Sequence, residues 1–280
     1  MKKARLSKYI QYLKTKYEPS LIEDKISHQS NLVLNNDKLG YAATEAIHFW
    51  NAFKKINPLI KPNSKVIELG SAPDTFRNIA LNCFKWNCQF DGTAFGESSY
   101  DLLSQTYKNS NFYKVNFDPS IVCKNNYASE FPFDIYETYD IVICTEVIEH
   151  LYNPYPLLNE IFKLLKPGGM VYLSSNNSSY FEKIFYAIMG GTPFEQKLEL
   201  MSVGHDIDNV KWRHVRYYSK KQMCDIMEDN NFQVESSGYF QAYSILKNGL
   251  KEFIKRSLNV CGMQYKSHFE IIARKPSHER

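Results

Sequence analysis

The six cysteines, Cys83, Cys88, Cys123, Cys144, Cys224 and Cys261, are scattered, and no two form a C-x-x-C pair. That spacing argues against a zinc ribbon and offers no disulfide framework, so they read as free thiols in a reducing compartment. Long apolar runs are missing too. No stretch approaches the ~20 residues needed to cross a bilayer. The chain begins Met-Lys-Lys-Ala-Arg, but the lysine-studded segment from Leu6 to Tyr17 lacks the apolar stretch of a secretory signal. A cytoplasmic location is the expectation. Charge of one sign is scarce: 34 basic residues stand against 30 acidic ones, a net +4. Nucleic acid is not an expected partner at that balance.

What is present suffices for a core: 44% of the 280 residues are hydrophobic and 15% aromatic. Residues 1–40 read as a polar, partly helical extension, and residues 41–280 as one main domain. From Ala42 to Lys54 the spacing of Ala43, Ile47, Phe49, Trp50 and Phe53 predicts a helix, which Pro58 and Pro62 break. Strand and helix patterns then alternate. Strands are expected at Lys65–Leu69, Cys88–Phe90, Phe112–Val115, Tyr139–Cys144 and from Met170 to Leu173. Helices are expected at Asn78–Phe84 and Leu157–Leu165, the second stopped by Pro167-Gly168-Gly169. This order implies right-handed crossovers and a parallel sheet with helices on both faces. Phe232–Val234 and His268–Ala273 are the last strand candidates. They lie so close in the chain that the final strand is expected to run antiparallel, at or into the sheet edge.

Ligands of open parallel sheets bind beyond the carboxyl ends of the strands. After the first strand comes Glu68-Leu69-Gly70-Ser71-Ala72-Pro73-Asp74. A dinucleotide site needs G-x-G-x-x-G, but Ala72 and Asp74 fill glycine-like positions, and a carboxylate there repels pyrophosphate. Carboxylates suit a ligand with a sulfonium and an ammonium, such as S-adenosylmethionine.

Three further motifs follow in order. They are Asp140 to Leu151 with Thr145, Glu146, Glu149 and His150, then Leu164 to Gly169, then Val171 to Asn176. Their order and spacing resemble the class I S-adenosylmethionine-dependent methyltransferases, over roughly Ser64 to Lys275. The stretches His214–Ser219 and Met227–Val234 look like the branch acting on small molecules, including sugars and lipid or quinone precursors. The resemblance implies an α/β, Rossmann-like, mostly parallel seven-stranded sheet flanked by helices, and S-adenosylmethionine as cofactor. It places Glu68, Gly70, Ser71 and Ala72 at the methionine-binding turn, Asn116 and Asp118 in the adenine loop, and Thr145 and Glu146 in the lining after the fourth strand. Two departures stand out. Of the family's three loop glycines only Gly70 is kept, and Ala94 occupies the usual place of the ribose-binding acid, so either Asp91 or Glu97 substitutes or the ribose is held differently.

Because the sulfonium is already a good leaving group, the main task is positioning the acceptor. A sugar hydroxyl also needs a base or a metal. His150 is the first candidate base and His214 the second. His214 closes a lid-like insertion at about 178–214, which also holds His205 and Asp206. The expected activity is O-methylation of a small molecule, a sugar or lipid-linked precursor, with a homodimer as an open arrangement. Glu146, Glu149 and His150 also resemble the metal site of small-RNA 2′-O-methyltransferases. That motif is common without metal, so no metal ligand is assigned and the metal-dependent RNA reading stays the alternative, beside a noncatalytic scaffold. Finally, Ile245–Val260 places Leu246, Leu250, Phe253, Ile254 and Leu258 on one side and Lys247, Lys251, Lys255 and Arg256 on the other. It reads first as a core-packing helix, with a membrane-surface helix second.

Overall fold

In a computed structural model the described residues are 5–20, 40–94, 97–118, 128–190, 214–243, 245, 249–258 and 266–277. Their helices are α1 (Leu6–Thr15), α2 (Gly40–Thr44), α3 (Ala46–Ile56), α4 (Thr75–Asn82), α5 (Glu97–Thr106), α6 (Tyr155–Leu164), α7 (Phe181–Ile188), α8 (Lys220–Asp229) and α9 (Leu250–Leu258). The strands are β1 (Ser64–Leu69), β2 (Cys88–Thr93), β3 (Phe112–Tyr113), β4 (Tyr139–Thr145), β5 (Leu165–Asn176), β6 (Gln233–Phe240) and β7 (His268–Arg274).

Among these residues the strands form one seven-stranded sheet in the order β3-β2-β1-β4-β5-β7-β6. Pairing from β3 through β5 is parallel, whereas β7 runs antiparallel to both β5 and β6. The last strand is thus antiparallel as expected, and of the two expected places it takes the one inside the edge, between β5 and β6. The chain builds outward from β1 through β2 to β3 and then crosses to β4 on the other side of β1, a switch in strand order that opens a crevice at the carboxyl ends of β1 and β4.

The apolar run in β4 is buried on both faces, as a central parallel strand requires. Ile141 and Ile143 join a cluster with Val66, Phe53, Phe76 and Tyr172. Val142 and Cys144 join the opposite cluster with Leu157, Ile161 and Phe269. This alternation is the strand's two-residue period. The first cluster extends to the N-terminal helix, where Tyr9 and Leu13 are buried and Tyr9 stacks on Trp50 at 5.5 Å.

Local chemistry sets several boundaries. Proline in the first turn starts α6. It ends at Leu164, and the strand begins at Leu165 rather than after the glycine pair. Helix α8 begins on a capping box: the Gln222 amide donates to Ser219 Oγ at 3.2 Å, and the Ser219 amide donates to Gln222 Oε1 at 3.0 Å. Residues 191–213, with His205, Asp206 and most of the lid-like insertion, lie outside the described residues, as does the side chain of Glu97.

Candidate active site

At the end of β1 the chain turns on Gly70, whose φ of +76° suits glycine. A Cβ there would also sit 3.0 Å from Val147 Cγ2. The Gly70 amide donates to Thr93 Oγ1 at 2.8 Å and the Ser71 amide to Thr93 O at 2.8 Å, while Ser71 Oγ donates to Glu68 O at 2.9 Å. This lashing to the end of β2 explains Gly92, where a Cβ would meet Ser71 Oγ at 2.2 Å. Ala72 stays half-buried beside them. Glu68 is buried, its Oε2 has no hydrogen-bond partner among the described residues, and burial pushes its carboxyl up to about 8. A cationic group arriving there would draw the proton off.

Asp74 behaves differently from the ligand-facing carboxylate expected of it. Its Oδ1 lies 3.4 Å from Arg77 Nε, and the Tyr107 hydroxyl donates to its Oδ2. The buried Arg77 is sandwiched by Phe90 at 4.5 Å and Phe112 at 4.8 Å. Asp74 therefore neutralises an internal cation. Phe76 turns into the core and stacks on Phe53 at 4.4 Å, so it does not plug the crevice.

The second loop is equally self-contained. Asp91 is fully buried and accepts from Tyr139 Oη at 2.8 Å and from the Asn111 amide at 2.9 Å. Asp118 is also fully buried and accepts from the Tyr152 amide at 2.5 Å, while Asn116 Oδ1 accepts from the Asp118 amide at 3.1 Å. Residues 116–118 are thereby tied to the chain beyond β4.

Beyond β4 the character changes. Thr145 ends the strand half-buried. Glu146 follows with φ +52°, its amide donating to Ser174 O at 3.1 Å. Its carboxylate lies between two imidazoles, 3.3 Å from His48 Nε2 and 3.4 Å from His268 Nε2, and accepts from Asn176 Nδ2 at 3.1 Å. Burial lowers the affinity of His48 for a proton, but Glu146 and Glu45 outweigh it and the net shift is upward. His268 is pushed down to about 3, by burial first and then by His48.

One helical turn on, Glu149 is fully buried and accepts from Ser175 Oγ at 2.7 Å. Burial, then repulsion from Glu146, pushes it up to about 7. The 214–218 segment returns to this spot because the amides of Val215 and Arg216 donate to Glu149 O at 2.8 and 3.2 Å. His214 consequently stands over Glu149, with Nε2 3.9 Å from Oε1 and Nδ1 2.9 Å from the Tyr217 hydroxyl. Its ring lies 5.0 Å from that of His150, nearly perpendicular. Burial pushes His214 down to about 4, leaving it neutral at neutral pH. Glu149, His150 and His214 each offer one ligand atom, all within 4.8 Å of one another. One carboxylate and two imidazoles form a donor set that fits a divalent transition ion.

The methyltransferase domain family matches residues 40–237, well over half of the chain. The chain belongs to that family. Two curated relatives are ubiquinone biosynthesis O-methyltransferases. The one from Aliivibrio fischeri is 39% identical over 71 residues, 25% of this chain and 29% of that protein. The one from Pseudoalteromonas translucida is 28% identical over 161 residues, 57% of this chain and 59% of that protein. The matches thus span between about a third and three fifths of these relatives. Among solved structures, a chain of the complex between the Haloferax volcanii Trm112 methyltransferase activator and a methyltransferase superposes with a TM-score of 0.56. It is 13% identical, and the match covers 94% of this chain and 100% of that one. A Methanosarcina mazei S-adenosylmethionine-dependent methyltransferase, 13% identical, superposes with a TM-score of 0.51 over 80% of this chain and 97% of that one. These likenesses show the Rossmann-like methyltransferase fold.

For a methyltransferase domain of this family, S-adenosylmethionine is the expected cofactor. The residues at β1 fit it: the buried Glu68 carboxyl, whose Oε2 has no partner among the described residues, beside the small Gly70-Ser71-Ala72 turn suits a ligand with an ammonium group. In this methyltransferase domain the structure brings His150 and His214 together at Glu149, and gathers Glu68, Gly70, Ser71 and Ala72 on one turn. Asp91 on β2, and Asn116 and Asp118 in the segment after β3, already bond to partners within the fold. His48 and His268 were not singled out from the sequence. Each lies far from the motifs in the chain, and only sheet register and the packing of α3 bring them to Glu146.

Proposed function

We propose that the chain transfers the methyl group of S-adenosylmethionine to a hydroxyl oxygen of a small-molecule acceptor, a sugar or related metabolite. The observation that carries this reading is the convergence of His150 and His214 on the buried Glu149 at the carboxyl edge. An amine or thiol acceptor needs little beyond alignment, whereas a weakly acidic hydroxyl needs a base. His214, neutral at neutral pH, or His150 takes the hydroxyl proton as the oxygen attacks the methyl carbon and the sulfonium leaves as a thioether. Glu149 orients the imidazole and balances its charge once protonated. Glu68 and the Gly70-Ser71-Ala72 turn hold the amino-acid end of the cofactor. Thr145 and Glu146 line its reactive end, and Asn116 and Asp118 border its adenine. Asp91 shapes the ribose side through its hold on Asn111. The names of the partial relatives, both O-methyltransferases, support an oxygen acceptor.

The test is methyl-labelled cofactor with a panel of free sugars, nucleotide sugars and phenolic acids. Label on an oxygen of one class, lost in His214→Asn, supports the reading. Label on nitrogen or sulfur only overturns it. A second reading, in which a divalent ion activates the hydroxyl, is favoured by the Glu149, His150 and His214 donor set. The ion would polarise the acceptor oxygen and lower its pKa. Transfer abolished by a strong chelator and restored by manganese or zinc selects this second reading; full activity in chelator disposes of it.

A further inference from the structure

Helix α9 departs from its reading as a core-packing helix. Leu250, Phe253 and Ile254, spaced to share one face, are 76%, 67% and 47% exposed. Helix α7 repeats the pattern. Phe181, Ile184, Phe185 and Ile188 recur at positions i, i+3, i+4 and i+7, and all are exposed, Ile188 at 75%. On its inner side Lys183 is buried, with Nζ 3.0 Å from the Tyr217 ring centroid, which turns the apolar face outward. Monomers rarely expose large side chains in such rows without a use for them.

Both helices belong to the same edge of the sheet. Asn176 at the end of β5 pairs with His268 at the start of β7, which pairs with Phe240 at the end of β6. Helix α7 follows β5, and α9 lies between β6 and β7. Each is therefore inserted at the carboxyl edge, the edge that holds Glu149, His150 and His214. The α9 sequence carries Lys251, Lys255 and Arg256 against the single acid Glu252, and Arg256 sits 5.4 Å from the Tyr243 ring centroid. Phenylalanine, leucine and isoleucine on one face of a short helix rich in basic residues suit the interface of an anionic bilayer. Among the described residues no helix is long and apolar enough to cross one, so the contact is at the surface.

We propose that α9, with the apolar face of α7 at the same edge, docks the protein on an anionic lipid surface and presents its active site to a lipid-linked acceptor. The acceptor part rests on the hydroxyl-methylating reading above; the docking does not.

The experiment is sedimentation of the full chain with phosphatidylcholine vesicles, and with vesicles that also contain phosphatidylglycerol. S-adenosylhomocysteine binding is measured in parallel. Binding to the anionic vesicles should be at least about tenfold tighter than to the neutral ones and should weaken with added salt. Phe253→Glu should weaken it by about tenfold or more, and Ile188→Glu should weaken it as well, with S-adenosylhomocysteine affinity unchanged in both. No binding to either vesicle overturns the proposal, as does binding that both variants leave intact. A dimeric wild type that Phe253→Glu makes monomeric, without vesicle binding, assigns the face to a second copy and also overturns it. Docking by a chain that binds no S-adenosylhomocysteine supports the docking and tells against the cofactor reading alone.

Discussion

The two halves of the carboxyl edge are built on opposite principles. In the loops after β1 and β2, small residues and backbone amides do most of the work, and apart from the Glu68 carboxyl at the cofactor turn charge is neutralised inside the fold, as in the pairing of Asp74 with Arg77. In the loop after β4, Glu146 and Glu149 are ringed by His48, His150, His214 and His268, several of them displaced from their ordinary titration ranges. A preformed cradle needs rigidity, and internal satisfaction of polar groups provides it. A proton-moving site needs groups whose charge can change, so strain from burial is left in place there.

The sharpest break between the halves should come from the histidines. His214→Asn and His150→Asn are each expected to lower methyl transfer by about 10²–10⁴-fold while S-adenosylhomocysteine affinity stays within about threefold, read by steady-state kinetics and calorimetry. Loss of binding in parallel would erase the distinction. Arg77→Met should act in the reverse sense. It leaves the buried Asp74 without the Arg77 guanidinium and should cost about 3–5 kcal/mol of stability, read by denaturant unfolding. Gly70→Val comes next. Left-handed backbone and the approach of Val147 Cγ2 at 3.0 Å should weaken cofactor binding about tenfold, equivalent to about 1.4 kcal/mol.

The smallest effect concerns Glu149, whose carboxyl rises from its usual 4.5 to about 7 on folding. The folded state holds that proton more tightly, so its contribution is fully present below pH 4.5 and is lost as pH rises through 7. Glu149→Gln removes this dependence. Its melting temperature relative to wild type should rise by about 5 °C or more between pH 5 and 8. A difference independent of pH would mean that Glu149 ionises normally.

The same contrast decides what the sequence revealed. The apolar run of β4, the helix that Pro167 and the glycine pair follow, and the turn at Gly70 are local patterns, and each stands close to where periodicity and turn chemistry place it. The insertion of β7 between β5 and β6 is a long-range pairing; the chain order indicated its direction and left its place at or into the edge open. His48 carries no local sign of use. It lies on a face of α3 otherwise filled by buried apolar residues, and its partner Glu146 stands 98 positions further along the chain. Asp74 misled for a different reason: Arg77 stands only three positions on, but the packing of α4 against β2 is what turns that guanidinium inward beside it. Helix α9 shows the limit of amphipathic patterning, which marks an apolar face without saying what covers it.

The central claim is that the β1 turn binds the cofactor while the β4 cluster handles the acceptor. Calorimetric titration of S-adenosylhomocysteine into wild type, Gly70→Val and His214→Asn tests it most directly. The account predicts micromolar binding by wild type and His214→Asn alike, and clear weakening in Gly70→Val. No binding by folded wild type at millimolar ligand, or undiminished binding by Gly70→Val, would contradict it.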